Sequence, residues 1–146
     1  MSQIKRYFTT PIYYVNDVPH IGHAYTSIAV DFLARFSRLS GDETRFLTGT
    51  DEHGLKIQKA AEKLSISPLE LCNKNSEIFR NLTKTLNLSN DDFIRTTEDR
   101  HKDGATYLWN LLFEKGDIYL DEYTGWYSVN DETFYNEKDL IKQNDG

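Results

Sequence analysis

Cysteine is almost absent from this sequence, which has Cys72 alone among its 146 residues. One thiol forms no disulfide within the chain and cannot supply a cysteine-rich zinc site. Long apolar runs are absent too, because stretches such as residues 11–15 are far shorter than the roughly 20 residues of a membrane-spanning helix. The sequence therefore predicts neither a disulfide framework nor a membrane partner.

The N-terminal residues lack the pattern of a targeting segment. Lys5 and Arg6 are not followed by the apolar region of a secretory signal, so we expect a cytoplasmic protein. Acidic residues outnumber basic residues by 23 to 17, which gives a formal charge of −6. This balance argues against general binding along a polyanion, but it is compatible with one local phosphate site.

Strands and helices are predicted to alternate up to residue 115, which indicates an α/β fold with a parallel sheet. Residues 6–15 favour a buried strand in which Pro11 bends the chain or ends the pairing. From His20, apolar residues recur every three or four positions, which predicts a helix that Gly41 ends. The other predicted elements are a strand at 44–47, helices at 56–64 and 67–86, a strand at 92–95, and a helix from Thr97 to Lys115 that buries Leu108, Leu111 and Leu112.

After Gly116 the sequence changes character and favours β-structure. Residues 118–123 and 125–129 are aromatic and alternating, and Thr124-Gly125 between them predicts a hairpin turn. This hairpin reads as an insertion or as a second module.

His20-Ile21-Gly22-His23 is the most informative stretch, because it follows a strand and opens a helix. A helix N-terminus has unpaired N–H groups and a partial positive charge, which suits a phosphate. Gly22 lets a base or ribose approach the backbone closely. The two histidines can lie on one side of the first turn and donate hydrogen bonds to a leaving pyrophosphate. The plain alternative is two ordinary histidines at the start of a helix.

At these residues the sequence resembles the class I aminoacyl-tRNA synthetases, whose HIGH motif stands at this place, and it is most similar to the methionine-specific members. Residues 10–16 resemble that family's first strand and turn, and residues 46–54 resemble its second conserved block. Residues 92–97, 116–119 and 125–127 are similar to later blocks, so the resemblance extends over almost the whole chain.

The resemblance implies that residues 1–115 form the first half of a Rossmann-like nucleotide-binding domain and that residues 116–146 begin a β-rich connective insertion. It implies ATP-dependent activation of methionine to methionyl-adenylate, with Mg²⁺ accompanying the nucleotide, and transfer to tRNA(Met). The lysine-bearing KMSKS loop of the second half does not occur in these 146 residues. We therefore expect an N-terminal portion of a methionine–tRNA ligase that is inactive alone and whose partner is a C-terminal half.

The resemblance also assigns nucleotide-binding residues. His20 and His23 match the histidines that bind ATP and stabilise the transition state. Gly22 matches the glycine under the adenosine, and Asn16 in the preceding turn is expected to assist nucleotide binding.

Three further positions match residues that bind methionine. Asp51 matches the aspartate that holds the substrate ammonium, and Ile12 and Tyr14 match residues that line the pocket for the thioether. From spacing alone, Ile12 and Tyr14 are core residues of a strand, and Asp51 is a loop carboxylate or a helix cap.

Zinc is not expected, although many members of the family carry a zinc knuckle in the inserted module. The first Cys-x-x-Cys of that knuckle would fall at Ser128-Val129-Asn130-Asp131, which contains no thiol.

Two other functions fit the same motif. A small nucleotidyltransferase of the HIGH superfamily would be complete at this length and would consume a phosphorylated acceptor, but the Asp51 block argues against it. A non-catalytic split or degenerate synthetase fragment is the third hypothesis, and the intact His20, Gly22, His23 and Asp51 argue against decay.

Overall fold

The structure is a computed structural model that describes residues 4–129 and 131–140. The chain divides into two compact units, Met1–Thr106 and Tyr107–Gly146. The predicted boundary between catalytic domain and insertion, after residue 115, stays a prediction. The elements in chain order are β1 (Lys5–Thr9), β2 (Tyr13–Tyr14), α1 (Ile21–Leu39), β3 (Glu43–Asp51), α2 (Leu55–Leu64), α3 (Pro68–Thr85), β4 (Asp92–Arg95), α4 (Asp99–Glu114), β5 (Trp126–Ser128), β6 (Thr133–Tyr135) and a short 3₁₀-helix (Glu137–Asp139).

A parallel sheet forms the centre of the first unit, as the sequence predicts. Strand β3 is its middle strand, with β1 and β2 paired along one side and β4 along the other. Tyr14 is in register with Asp51, and Arg95 is in register with Thr50. Since parallel strands end at one edge of a sheet, the residues that follow β2, β3 and β4 meet there. Among the described residues, none of the helices is long and apolar enough to cross a membrane.

Two strand predictions need correction. Residues 6–15 form two short strands rather than one, with Pro11 in the gap, where its missing N–H cannot join the ladder. Strand β3 continues to Asp51, four residues beyond its predicted end. The polar residues of this extension are paired within the fold: the Thr48 hydroxyl lies 2.7 Å from that of Thr10, and the Thr50 hydroxyl lies 3.2 Å from that of Ser76. These buried pairs satisfy the polar groups, so the strand can continue.

The ends of the helices follow their predicted signals in most cases. Gly41, directly after the last turn of α1, has a φ of +89°, which a residue with a side chain rarely adopts. Helix α3 begins where Ser67 Oγ accepts the Glu70 N–H at 3.2 Å. Helix α4 begins at Asp99, so the predicted cap at Thr97 is wrong: the Thr97 hydroxyl donates to the Glu52 carboxylate instead.

Helix α1 turns its polar face toward the sheet. Ser27 pairs with the Tyr13 hydroxyl at 3.0 Å and Ser37 with the Thr44 hydroxyl at 2.7 Å, so small side chains allow close packing with their hydroxyls paired. The buried residues of α1 are Ser27, Asp31, Ala34 and Ser37. The predicted apolar face is instead 48–88% exposed and comprises Ile21, Tyr25, Ile28, Phe32, Phe36 and Leu39.

The hydrophobic core of the first unit lies where α2 and α3 pack against the carboxyl ends of the strands. Cys72 is buried there, as its mid-helix position suggests, and burial raises the pKa of its thiol to about 11. The members of this core are Tyr13, Val15, Ile57, Ala61, Leu71, Cys72, Phe79 and Phe93.

The hairpin of the second unit lies further along the chain than predicted. It pairs β5 with β6, whereas residues 118–124 form no strand. Phe134 packs at 4.8 Å from the Tyr123 ring and 4.9 Å from the Tyr127 ring, which brings the aromatic residues together across the hairpin.

The predicted burial of α4 is also wrong: Leu108 is exposed, and Leu111 and Leu112 are half-buried.

Gly49 gives a first testable prediction, because β3 and β4 meet tightly there. A Cβ at Gly49 would overlap the Ile94 carbonyl oxygen and lie 2.7 Å from Ile94 Cγ2, so the strands would have to separate. We expect Gly49→Ala to lower the free energy of unfolding by about 3 kcal/mol, measured by urea denaturation. Gly104→Ala is the control, since its Cβ would enter open space on α4 and raise helix propensity. Equal stability of the two variants would contradict the prediction.

Candidate functional site

The two histidines of the HIGH motif cap helix α1 reciprocally. His20 is the N-cap residue, and its Nδ1 accepts the Gly22 N–H at 3.1 Å. His23 lies three residues further on, and its Nδ1 accepts the His20 N–H at 3.0 Å. The two rings lie 3.9 Å apart between centroids. This arrangement is a capping box in which histidines replace the usual Ser/Thr and Glu/Gln.

These caps determine which ring nitrogen can donate. Because Nδ1 of each ring accepts a backbone N–H, the neutral imidazole has its proton on Nε2. Burial and the neighbouring His20 lower the pKa of His23 below its ordinary value of 6.5. His23 is therefore neutral at pH 7, with an Nε2–H available for an anionic ligand.

Two aromatic rings pack against the imidazole of His23. The Tyr13 ring meets the His23 ring edge-on at 4.8 Å, and the Phe79 ring does so at 5.1 Å. The Tyr13 hydroxyl also lies 3.0 Å from Ser27 Oγ and donates to the His23 carbonyl at 3.4 Å. Tyr13 therefore ties β2 to the first turn of α1 and limits the movement of the imidazole.

Gly22 is required by the cap itself. A Cβ at this position would lie 2.9 Å from Cε1 and 3.1 Å from Nδ1 of His20. The ring of His20 thus occupies the space that a side chain would need, and any larger residue would push the imidazole away from the Gly22 N–H.

A surface cavity of about 600 Å³ brings together five of the seven positions singled out from the sequence. Ile12 and Tyr14 are 39% and 42% exposed at its wall, whereas Tyr13 between them is 9% exposed. The alternation of the strand therefore points Tyr13 into the core and leaves its neighbours accessible. The lining residues are Ile12, Tyr13, Tyr14, Asn16, Asp17, Val18, Pro19, His20 and His23.

Asp51 ends strand β3 beside this cavity but does not line it. It pairs in register with Tyr14 and is partly exposed, and its Oδ1 accepts the His53 N–H at 3.4 Å. The His53 ring faces the Thr96 carbonyl, with Nε2 and the oxygen 3.3 Å apart. His53 thus ties the loop after β3 to the loop after β4.

Glu52 and Arg95 form a bidentate ion pair at the ends of β3 and β4, but neither was predicted from the sequence to be a site residue. Burial alone would raise the pKa of Glu52, but hydrogen bonds from Arg95, Thr97 and Thr50 outweigh it and hold the pKa below its ordinary value. The sequence signals were their positions in two blocks of family resemblance: Glu52 lies beside Asp51 in residues 46–54, and Arg95 lies in residues 92–97.

The described residues contain no group of three or more His, Cys, Asp or Glu side chains arranged to hold a metal ion. At the zinc-knuckle positions, Ser128 Oγ donates to Asp131 Oδ2 at 2.6 Å and accepts the Asp131 N–H at 3.2 Å. Asn130 lies outside the described residues. The absence of zinc stays a prediction.

Comparison with known proteins identifies the family. The model for "tRNA synthetases class I (M)" matches residues 6–143. The chain belongs to the class I tRNA synthetases of this type. A methionine–tRNA ligase of Rickettsia bellii is 58% identical over 134 residues, which cover 92% of this chain and 26% of the relative. One of Mesorhizobium japonicum is 54% identical over 146 residues, which cover 100% of this chain and 28% of the relative.

A solved class I synthetase has the same fold. Mycobacterium tuberculosis methionyl-tRNA synthetase in complex with methionyl-adenylate superimposes with a TM-score of 0.86 at 48% identity. The match covers 93% of this chain and 27% of that structure. The chain thus spans just over a quarter of the length of its relatives and corresponds to their N-terminal portion.

Proposed function

We propose that this chain is the N-terminal portion of a methionine–tRNA ligase and contributes one wall of the site that makes methionyl-adenylate. The observation that carries the proposal is the histidine capping box, which leaves two Nε2 donors beside the cavity lined by Ile12 and Tyr14. The relatives that are methionine–tRNA ligases, and the methionyl-adenylate bound to the solved neighbour, support the same substrates.

The proposed first step is attack of the methionine carboxylate on the α-phosphorus of ATP. The new bond joins carboxylate oxygen to phosphorus, and the bond to the bridging oxygen breaks to release pyrophosphate. The protein supplies positioning and charge stabilisation rather than a covalent nucleophile. Nε2–H of His20 and of His23 donates to phosphate oxygens as negative charge builds on the leaving group. Mg²⁺ arrives with the nucleotide as part of the substrate.

The remaining site residues orient the two substrates. Asp51 accepts hydrogen bonds from the methionine ammonium, and Ile12 and Tyr14 contact its apolar side chain. Gly22 keeps the backbone open beside the adenosine, and Asn16, which is exposed at the cavity, assists nucleotide binding.

Other parts of the proposal concern the rest of the enzyme. Transfer of the methionyl group to tRNA(Met) requires a C-terminal half with the lysine-bearing loop as partner, and residues 116–146 begin the connective insertion between the halves. The cytoplasm, where tRNA charging occurs in bacteria, is the proposed location.

Methionine-dependent ATP–pyrophosphate exchange tests the function. The chain is assayed alone and again joined to the C-terminal remainder of a close relative, with isoleucine and a phosphorylated acceptor as alternative substrates. We expect exchange with methionine only, and only in the joined chain. Exchange in neither form would contradict the adenylation proposal, and turnover of the phosphorylated acceptor would favour a nucleotidyltransferase. Exchange by the 146 residues alone would show that the lysine loop is dispensable.

A further inference from the structure

The carboxylate of Glu52 is fully enclosed and fully bonded. Its side chain is 0% exposed. Oε1 accepts from the Thr50 hydroxyl at 2.9 Å and from Arg95 Nε at 2.7 Å. Oε2 accepts from Arg95 Nη2 at 2.9 Å and from the Thr97 hydroxyl. The charged pair is therefore bidentate, and two hydroxyls saturate its remaining acceptor sites.

The backbone of Glu52 is held as firmly as its side chain. Its N–H donates to Thr96 Oγ1 at 2.8 Å, and its carbonyl accepts from the Cys72 thiol at 3.6 Å. Arg95 is held in turn, because its Nη2 also donates to Asn73 Oδ1 at 2.6 Å. The ends of β3 and β4 and one face of α3 thus meet at this single residue.

The contacts of Glu52 determine the position of Asp51, the residue before it. Successive side chains of a strand point to opposite faces, so Asp51 faces away from Thr50, whose hydroxyl bonds to Glu52. Asp51 is thereby fixed between its register partner Tyr14 and the anchored Glu52. We propose that Glu52 is a positioning residue that acts through Asp51 to set the affinity for the substrate ammonium. This proposal rests on the proposed function, in which Asp51 binds methionine.

Glu52→Gln separates positioning from nucleotide chemistry. Gln has nearly the same shape, but its amide cannot accept both arms of the Arg95 guanidinium, so the loop loses its fixed geometry. In the chain joined to a C-terminal remainder, we expect the methionine KM for exchange to rise roughly 10- to 100-fold. The ATP KM should change less than about twofold, since the histidine caps lie on α1, away from this ion pair.

Asp31→Asn is the matched control. Asp31 is another buried carboxylate, 8% exposed, and it accepts from the Ser89 N–H and hydroxyl, both at 2.6 Å, and from Arg35 Nε at 2.7 Å. Asp31→Asn should lower the melting temperature about as much as Glu52→Gln does, because a comparable network is broken. We expect it to leave the methionine KM unchanged. An equal rise of KM in both variants would show that Glu52 acts only through stability.

Hydrogen exchange provides a readout that needs no catalysis. In the 146-residue chain, we expect the amides of residues 51–54 to exchange at least about tenfold faster in Glu52→Gln than in the unsubstituted chain or in Asp31→Asn. Arg95→Lys, which keeps the charge and loses the bidentate contact, should show the same exchange pattern and serves if Glu52→Gln does not fold. Unchanged exchange at these amides would overturn the proposal even if the joined chain lacked activity, whereas inactivity of the unsubstituted joined chain would count against the proposed function alone.

Discussion

His20→Asn is expected to lower methionine-dependent ATP–pyrophosphate exchange by roughly 100-fold in the chain joined to the C-terminal remainder of a close relative, with little change in stability. Asn is among the best N-cap residues, so its side chain can accept the N–H that His20 Nδ1 now accepts. It cannot place a donor where Nε2 stands. Loss of one donor to a developing charge typically costs that order of rate. His23→Gln is expected to behave in the same way, since Gln is a normal partner in a capping box.

The companion variants distinguish capping from catalysis. His20→Ala removes both the cap and the donor, so it should lose about 1 kcal/mol of stability in addition to the rate. His101→Gln, a histidine on α4, is the control for nonspecific effects of replacing an imidazole. If His20→Asn kept full exchange while His20→Ala lost it, the histidine would be only a helix cap. The proposed donor role would then be wrong.

The same caps predict a dependence of stability on pH. Protonation of Nδ1 would abolish its ability to accept the backbone N–H, so the folded state disfavours the charged imidazole. The pKa of His23 is lowered in the folded protein, so below about pH 6.5 the unfolded chain binds the proton first. This contribution to stability is therefore complete above pH 7 and declines as the pH falls from 6.5 toward the folded pKa.

Local signals in the sequence predicted the order of elements well, but the faces that they predicted to be buried on α1 and α4 are wrong. The residues of α1 from Ile21 to Leu39 have the expected helical period, yet the sheet contacts Ser27 and Ser37 instead. Periodicity shows that an apolar face exists, and only the partner surface decides what covers it. Here the partner presents hydroxyls, from Tyr13 and Thr44, and these select the polar face.

The candidate site was predictable to the extent that it follows contiguous motifs. His20, Gly22 and His23 are neighbours in sequence, so their geometry follows from one helix turn. The anchoring of Glu52 depends on Arg95 and Thr97, more than 40 residues away, and on the register of two strands. A single sequence contains no signal of that pairing, and Thr97 therefore resembled an ordinary helix cap.

Asp51→Asn is expected to raise the methionine KM by roughly 100-fold while leaving the ATP KM nearly unchanged. The substitution removes the negative charge that is proposed to bind the methionine ammonium, and leaving a bound cation without its partner typically costs about 3 kcal/mol. The fold should tolerate the change, because Asp51 is partly exposed and an Asn Oδ1 can still accept the His53 N–H. Glu62→Gln, an exposed carboxylate on α2, is the matched control and should leave both constants unchanged.

A substrate analogue makes this test specific for the ammonium. 4-Methylthiobutanoate has the carboxylate and thioether of methionine but lacks the amino group. As a competitive inhibitor of exchange, the analogue should bind Asp51→Asn at least as well as it binds the unsubstituted joined chain. The analogue has no ammonium group for Asp51 to bind, so loss of the Asp51 carboxylate removes no contact with it. If its affinity fell as much as that of methionine, Asp51 would be shaping the pocket rather than binding the ammonium. If Glu52→Gln also left the affinity for the analogue unchanged, both residues would act on the same contact with the ammonium, since Glu52 is proposed to act only through the position of Asp51.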